Sequence, residues 1–266
     1  MKNLRGGSGL DRNGFIVSDV SLEKIKYDYI QCIKDSVERL QKLFPRKLHS
    51  VYVYGSVARG DALPCKSDLD LLALFDGNLS QEEFTELKTL SSDLSHTYRF
   101  LVREVGIAVA YYDYALDPVN YYEQAFLKEL CVCVHGEDLR GRFGPYKLTP
   151  EIAISFNGDI CEVLNRTISR LETVSTVEFK SISQGFARKL IRTYYSMVMA
   201  RSQIWSTLFH EQSEIFIHHF PDKKPIICTL QDWIEQPPTD RRKVIETFKR
   251  EGNWACVNFV REAHNF

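Results

Sequence analysis

The chain has 266 residues, with 34 basic side chains against 35 acidic ones and a formal net charge of −1. A hydrophobic content of 44% and a charged content of 26% describe an ordinary globular protein with one large domain or two modest ones. The near-neutral balance argues against a surface dominated by nucleic-acid electrostatics, and no apolar run reaches the roughly 18 residues of a membrane-spanning helix.

Residues 1–20 hold no apolar stretch of signal-peptide length and read as a flexible lead-in, which makes a cytoplasmic location the expectation. The seven cysteines are odd in number and mostly lie in apolar runs, so they are expected to be reduced and mostly buried. Cys131 and Cys133 are one residue apart, not two as in a zinc knuckle, and no structural zinc is expected.

Residues 21–44 have helical spacing: Ser21 can cap, Leu22, Ile25, Tyr29, Ile33, Val37, Leu40 and Phe44 share one face, and Pro45 ends the run. Val51-Tyr52-Val53-Tyr54 reads as a buried strand, turned sharply by Gly55-Ser56. After a loop containing Asp61, Pro64 and Lys66, a second apolar strand opens with Ser67-Asp68-Leu69-Asp70. Ser80 and Glu83 form a capping box for a following helix. Residues 104–112 make a third strand, with Gly106, Ala108 and Ala110 on an unusually small face that Glu104 begins. A short helix is expected over 119–130 and a strand over 130–134. Residues 136–150 hold three glycines and two prolines and read as a linker. Beyond it, helical spacing covers 151–174, 180–209, 211–219, 229–236, 239–251 and 254–264, which predicts an all-α domain.

Chemistry concentrates between Val51 and Leu74. Two carboxylates at i and i+2 on a strand point to the same face, where they repel unless something positive sits between them. Hard oxygen ligands of this kind suit magnesium, which is held by one or two carboxylates together with substrate phosphates. The Gly55-Ser56 turn complements them. Glycine admits close approach, the amides that open the next helix favour an anion, Ser56 adds a hydroxyl and Arg59 a guanidinium. Each half alone is what an ordinary turn or loop cap looks like; together they describe a metal-plus-phosphate site. Glu104 would supply a third carboxylate, as general base or shared ligand; Asp113 is the other candidate. On the C-terminal helix, Arg188 and Arg192 share one face with Tyr195 and Met199, and call for acidic partners or an anionic ligand.

Gly55-Ser56, eleven intervening residues and then Asp68-Leu69-Asp70, flanked by Arg59-Gly60 and Ser67, resemble the signature of the polymerase-β-type nucleotidyltransferase superfamily. The run Arg103–Val109 and the helix around Arg192–Ser196 are closest in pattern to bacterial aminoglycoside adenylyltransferases. In those enzymes a glutamate precedes an apolar strand and an arginine reaches the nucleotide phosphates.

The resemblance implies an α+β protein. A nucleotidyltransferase domain (mixed sheet flanked by helices, residues 21–143) would be followed by a helical-bundle domain (148–266). It implies transfer of a nucleoside monophosphate, AMP from ATP, to a hydroxyl of a small-molecule acceptor such as an aminoglycoside-like antibiotic, with release of pyrophosphate. Two magnesium ions would be held by Asp68, Asp70 and Glu104, with Glu104 as base. Gly55, Ser56, Arg59, Ser67 and Arg192 would bind the nucleotide. Neither domain shows a basic stripe for nucleic acid, and oligomeric state is left open. The alternative is a catalytically weak, nucleotide-binding regulatory or antitoxin-like protein on the same fold.

Overall fold

The structure is a computed structural model that describes residues 5–265. The chain forms two compact units: residues 18–144, and residues 145–265 together with 5–17.

The first unit is built on a four-stranded sheet. Helix α1 (Tyr27–Leu43) buries Tyr29, Cys32, Ile33, Val37 and Leu40 along one stripe. It begins later than the spacing suggested, because Leu22–Lys24 form a separate 3-10 turn whose Ser21 makes no side-chain cap bond. Strand β1 (Leu48–Tyr54) runs directly into α2 (Gly55–Arg59), and β2 (Leu69–Phe75) follows. Helix α3 (Gln81–Thr97) opens with the expected capping box: Glu83 N–H donates to Ser80 Oγ at 3.2 Å and Ser80 N–H to Glu83 Oε2 at 2.7 Å. Strand β3 (Val105–Tyr111) is followed by α4 (Tyr112–Leu116), which was not expected, then α5 (Ala125–Leu130) and β4 (Cys131–Gly136).

The strand order is β3-β2-β1-β4. β1 runs antiparallel to β2 and β4, whereas β2 and β3 are parallel. Alternation sends Leu69, Leu71, Ala73 and Phe75 into a core with α1 and α3, while Leu72 and Leu74 join Tyr52, Ala115, Leu127 and Leu139 on the opposite face. Each of the leucine and phenylalanine side chains among them contributes roughly 1.5–3 kcal/mol on burial. The small face of β3 has a packing reason: Ala108 and Ala110 lie in the same cluster as Tyr112, Ala115 and Leu116, so the chain folds back tightly over its own strand.

The second unit is a helical bundle of α6 (Pro150–Asn157), α7 (Ile160–Thr173), α8 (Thr176–Ser202), α9 (Phe209–His219), α10 (Lys224–Glu235) and α11 (Arg241–Ala263). The stretch 151–174 is two helices broken around Gly158, whose N–H donates to Ile154 O at 2.7 Å. Conversely, 239–264 is one helix across Gly252. A Cβ there would lie 2.6 Å from Leu164 Cδ1, so this glycine serves close packing of α11 on α7 and not a break. Residues 5–17 close on themselves through the bridge Leu10–Ile16 and join this unit through the bridge Phe15–Lys147 and the Trp205 N–H, which donates to Ser8 O at 2.9 Å. Gly9, with φ +75°, would place a Cβ 2.3 Å from the Trp205 carbonyl oxygen.

The cysteines differ from the all-reduced expectation. Cys161 on α7 and Cys256 on α11 are joined as a disulfide, with Cα atoms 5.3 Å apart. Cys32 and Cys131 are free and buried, while Cys65 and Cys228 are free and exposed. Among the described residues, no helix is long and apolar enough to cross a membrane.

Candidate active site

Four chain segments meet at one end of the first unit's sheet. β1 ends at Tyr54, which pairs with Asp70 of β2; Asp70 pairs in turn with Gly106 of β3. The Gly55-Ser56 turn, the two aspartates and the start of β3 therefore share one edge. Leu69, between the aspartates, donates its N–H to the Glu104 carbonyl at 2.9 Å, which fixes Glu104 beside them along the backbone.

Asp70 lies on the face of Leu72 and Leu74, wedged between two glycines. A Cβ on Gly55 would sit 2.5 Å from Asp70 Oδ2, and one on Gly106 would sit 3.7 Å from Oδ1. Gly55 has φ +72°, a conformation that glycine alone adopts at little cost. Asp68 precedes β2, and Arg103 holds it as a bidentate ion pair: Nε donates to Oδ1 at 2.9 Å and Nη2 to Oδ2 at 2.5 Å. Arg103 was not singled out for this role from the sequence. In the sequence it stands only as the first residue of the run Arg103–Val109, next to Glu104.

The other residues divide into support and reach. Ser67 closes the loop between α2 and β2, with its Oγ accepting from Leu63 N–H at 2.9 Å and its carbonyl accepting from Arg103 N–H at 2.9 Å. Ser56 stands in the first turn of α2, and its carbonyl accepts from Asp61 N–H at 3.1 Å. Arg59 donates through Nε to Asp61 Oδ2 at 3.2 Å, with its side chain mostly covered. Glu104 is exposed and lines a groove of about 650 Å³ between α3 and β3, together with Lys88, Ser92, Arg103, Ile107 and Val109. Arg192 belongs to the helical unit, where its guanidinium lies 4.9 Å from the centre of the Phe209 ring.

The donor set fits a magnesium ion in part. A carboxylate flanked by a glycine hydrogen, with a second carboxylate two residues away, suits an ion whose remaining ligands are phosphates and waters. Among the described residues, no three Asp, Glu, His or Cys side chains are grouped closely enough to hold a metal ion.

A sheet of this order, with paired aspartates at the start of β2 and a glycine-serine turn at the end of β1, is consistent with the polymerase-β-type resemblance of the sequence. Residues 33–121 match the family model described as "Nucleotidyltransferase domain", so this part of the chain carries a domain of that kind. No curated protein matches the sequence. Among solved structures, the chain is similar to the spectinomycin adenyltransferase AAD(9) from Enterococcus faecialis, crystallised with ATP and spectinomycin. That match has 12% identity and a TM-score of 0.49, and it covers 86% of this chain and 99% of the other.

Proposed function

We propose that the protein transfers a nucleoside monophosphate, AMP from ATP, to a hydroxyl of a small-molecule acceptor in a magnesium-dependent reaction. The observation that carries this reading is the Asp70 carboxylate seated against Gly55, with Asp68 and Glu104 anchored at the same edge. ATP and an aminoglycoside-like acceptor come from the sequence resemblance.

In this reaction the Ser56 hydroxyl and the backbone that opens α2 receive the phosphates, with Arg59 as a further cation; Arg192 is a nucleotide-binding candidate by the sequence resemblance alone. Asp68 and Asp70 are the residues that would hold magnesium, which would offset the charge of the phosphates and of the departing pyrophosphate. Glu104 takes the proton of the acceptor hydroxyl. That oxygen bonds to the α-phosphorus as the bond to the pyrophosphate oxygen breaks.

The bidentate Arg103–Asp68 pair favours a second reading, in which the domain binds nucleotide and turns over weakly, as a regulatory or antitoxin-like protein would. Pyrophosphate release from ATP and magnesium, with a panel of aminoglycoside and aminocyclitol antibiotics as acceptors, separates the two. Transfer requires an acceptor-dependent signal that Asp70→Asn abolishes and Glu104→Gln lowers by roughly 10²-fold or more. Tight ATP binding with no acceptor-dependent release overturns the transferase reading.

A further inference from the structure

The Arg103–Asp68 bridge plays no part in the reaction proposed above, yet it occupies both oxygens of a carboxylate that the reaction needs. The pair is well defined: Arg103 is tied by its own N–H to the Ser67 carbonyl at 2.9 Å, and the Arg103 and Asp68 side chains are 35% and 25% exposed. A fork-on-fork pair of this kind is among the stronger protein hydrogen-bonded contacts. It also sets a positive charge beside two neighbouring carboxylates. Arg103 borders the groove between α3 and β3, so its side chain has somewhere to go when Asp68 is claimed.

We propose that Arg103 is the resident counter-ion of Asp68. It closes that aspartate to free divalent cations, and yields it, by withdrawing into the groove, to a cation that arrives on nucleotide phosphates. This rests on the reading of Asp68 and Asp70 as the cation-holding pair. A hydrated magnesium ion gives up water reluctantly and gains little by displacing a guanidinium for one carboxylate. The same ion on a triphosphate brings its other ligands with it. Arg103 is thus a positioning residue that couples cation entry to nucleotide entry.

The test is titration of the full-length, nucleotide-free protein with Mn²⁺, with the free ion read by electron paramagnetic resonance. Arg103→Gln is expected to lower the half-saturating Mn²⁺ concentration roughly tenfold. Arg103→Lys, which keeps the charge but loses the fork, gives a smaller gain. The double variant Asp68→Asn/Arg103→Gln loses the gain, and added ATP narrows the gap between wild type and Arg103→Gln. Unchanged or weaker Mn²⁺ binding by Arg103→Gln overturns the proposal, as does a gain that survives in the double variant. Should Arg103→Gln fail to fold by circular dichroism, Arg103→Lys decides, and no gain there overturns it. If Mn²⁺ with ATP binds neither wild type nor variants, the cation-pair reading falls and this proposal with it. If Mn²⁺ with ATP binds normally while nucleotide-free binding shows no gain, this proposal alone falls.

Discussion

Gly55 and Asp70 are seated against each other so closely that the glycine is part of the carboxylate's surroundings: a Cβ at position 55 would stand 2.5 Å from Asp70 Oδ2. The contact joins the two halves of the sequence signature. Because Tyr54 pairs with Asp70 across the antiparallel β1–β2 ladder, the first residue past β1 has to meet the second aspartate. The turn proposed to receive phosphates and the carboxylate proposed to hold a cation become one structural unit by register.

Gly55→Ala should therefore fail twice. The φ of +72° costs an alanine about 1–2 kcal/mol, and the methyl group displaces the Asp70 carboxylate. Thermal unfolding should show a lower midpoint, and acceptor-dependent pyrophosphate release should fall far more than stability does. Wild-type turnover by Gly55→Ala would show that the position of Asp70 against the turn does not matter.

Glu129 gives the first unit a pH dependence. It is 3% exposed at the end of α5, and burial pushes its carboxyl from 4.5 up to about 7, with the Lys128 charge pulling weakly the other way. Between those two values the native chain keeps a proton that the unfolded chain releases, so stability falls as pH rises through that window and levels off above it. The loss is at most on the order of 3 kcal/mol. Glu129→Gln removes it. Urea midpoints at about pH 5 and about pH 8 should differ less in the variant than in wild type, and an equal difference in both refutes the assignment.

The Cys161–Cys256 bond closes a separation of 95 residues between α7 and α11. Links of this kind contribute typically about 2–4 kcal/mol by restricting the unfolded chain. Melting of the helical unit should shift to lower temperature in excess dithiothreitol, and Cys256→Ser should melt at that lower value with or without reductant. Intact-mass measurement after alkylation would show two protected thiols in wild type. Seven alkylated cysteines in protein purified without reductant would contradict the bond.

What was legible in the sequence was local. The Gly55-Ser56 turn, the Asp68–Asp70 spacing and the Ser80–Glu83 capping box each span a few residues, and each rests on backbone rules that do not depend on the remainder of the fold. The pairing of Arg103 with Asp68 depends on the parallel register of β2 and β3, a relationship between residues 35 apart that no periodicity encodes. Gly252 shows the same limit from the other side. As a letter it signals a break, whereas in the bundle the nearness of Leu164 makes it a packing residue inside a continuous helix.

The third carboxylate is the sharpest question that the geometry poses. Gly106 pairs with Asp70, and a Cβ there would lie 3.7 Å from Oδ1, an ordinary contact that leaves room for a side chain. Glu104 instead borders the groove beside α3. Gly106→Asp should therefore assemble the missing cage: tighter Mn²⁺ binding, and a lower melting midpoint without metal because the new carboxylate repels Asp70. Transfer by Gly106→Asp/Glu104→Gln then reports which position serves the acceptor hydroxyl. Recovery above Glu104→Gln alone shows that a carboxylate at the Asp70 side can replace Glu104, and no recovery shows that a carboxylate at position 106 does not replace it.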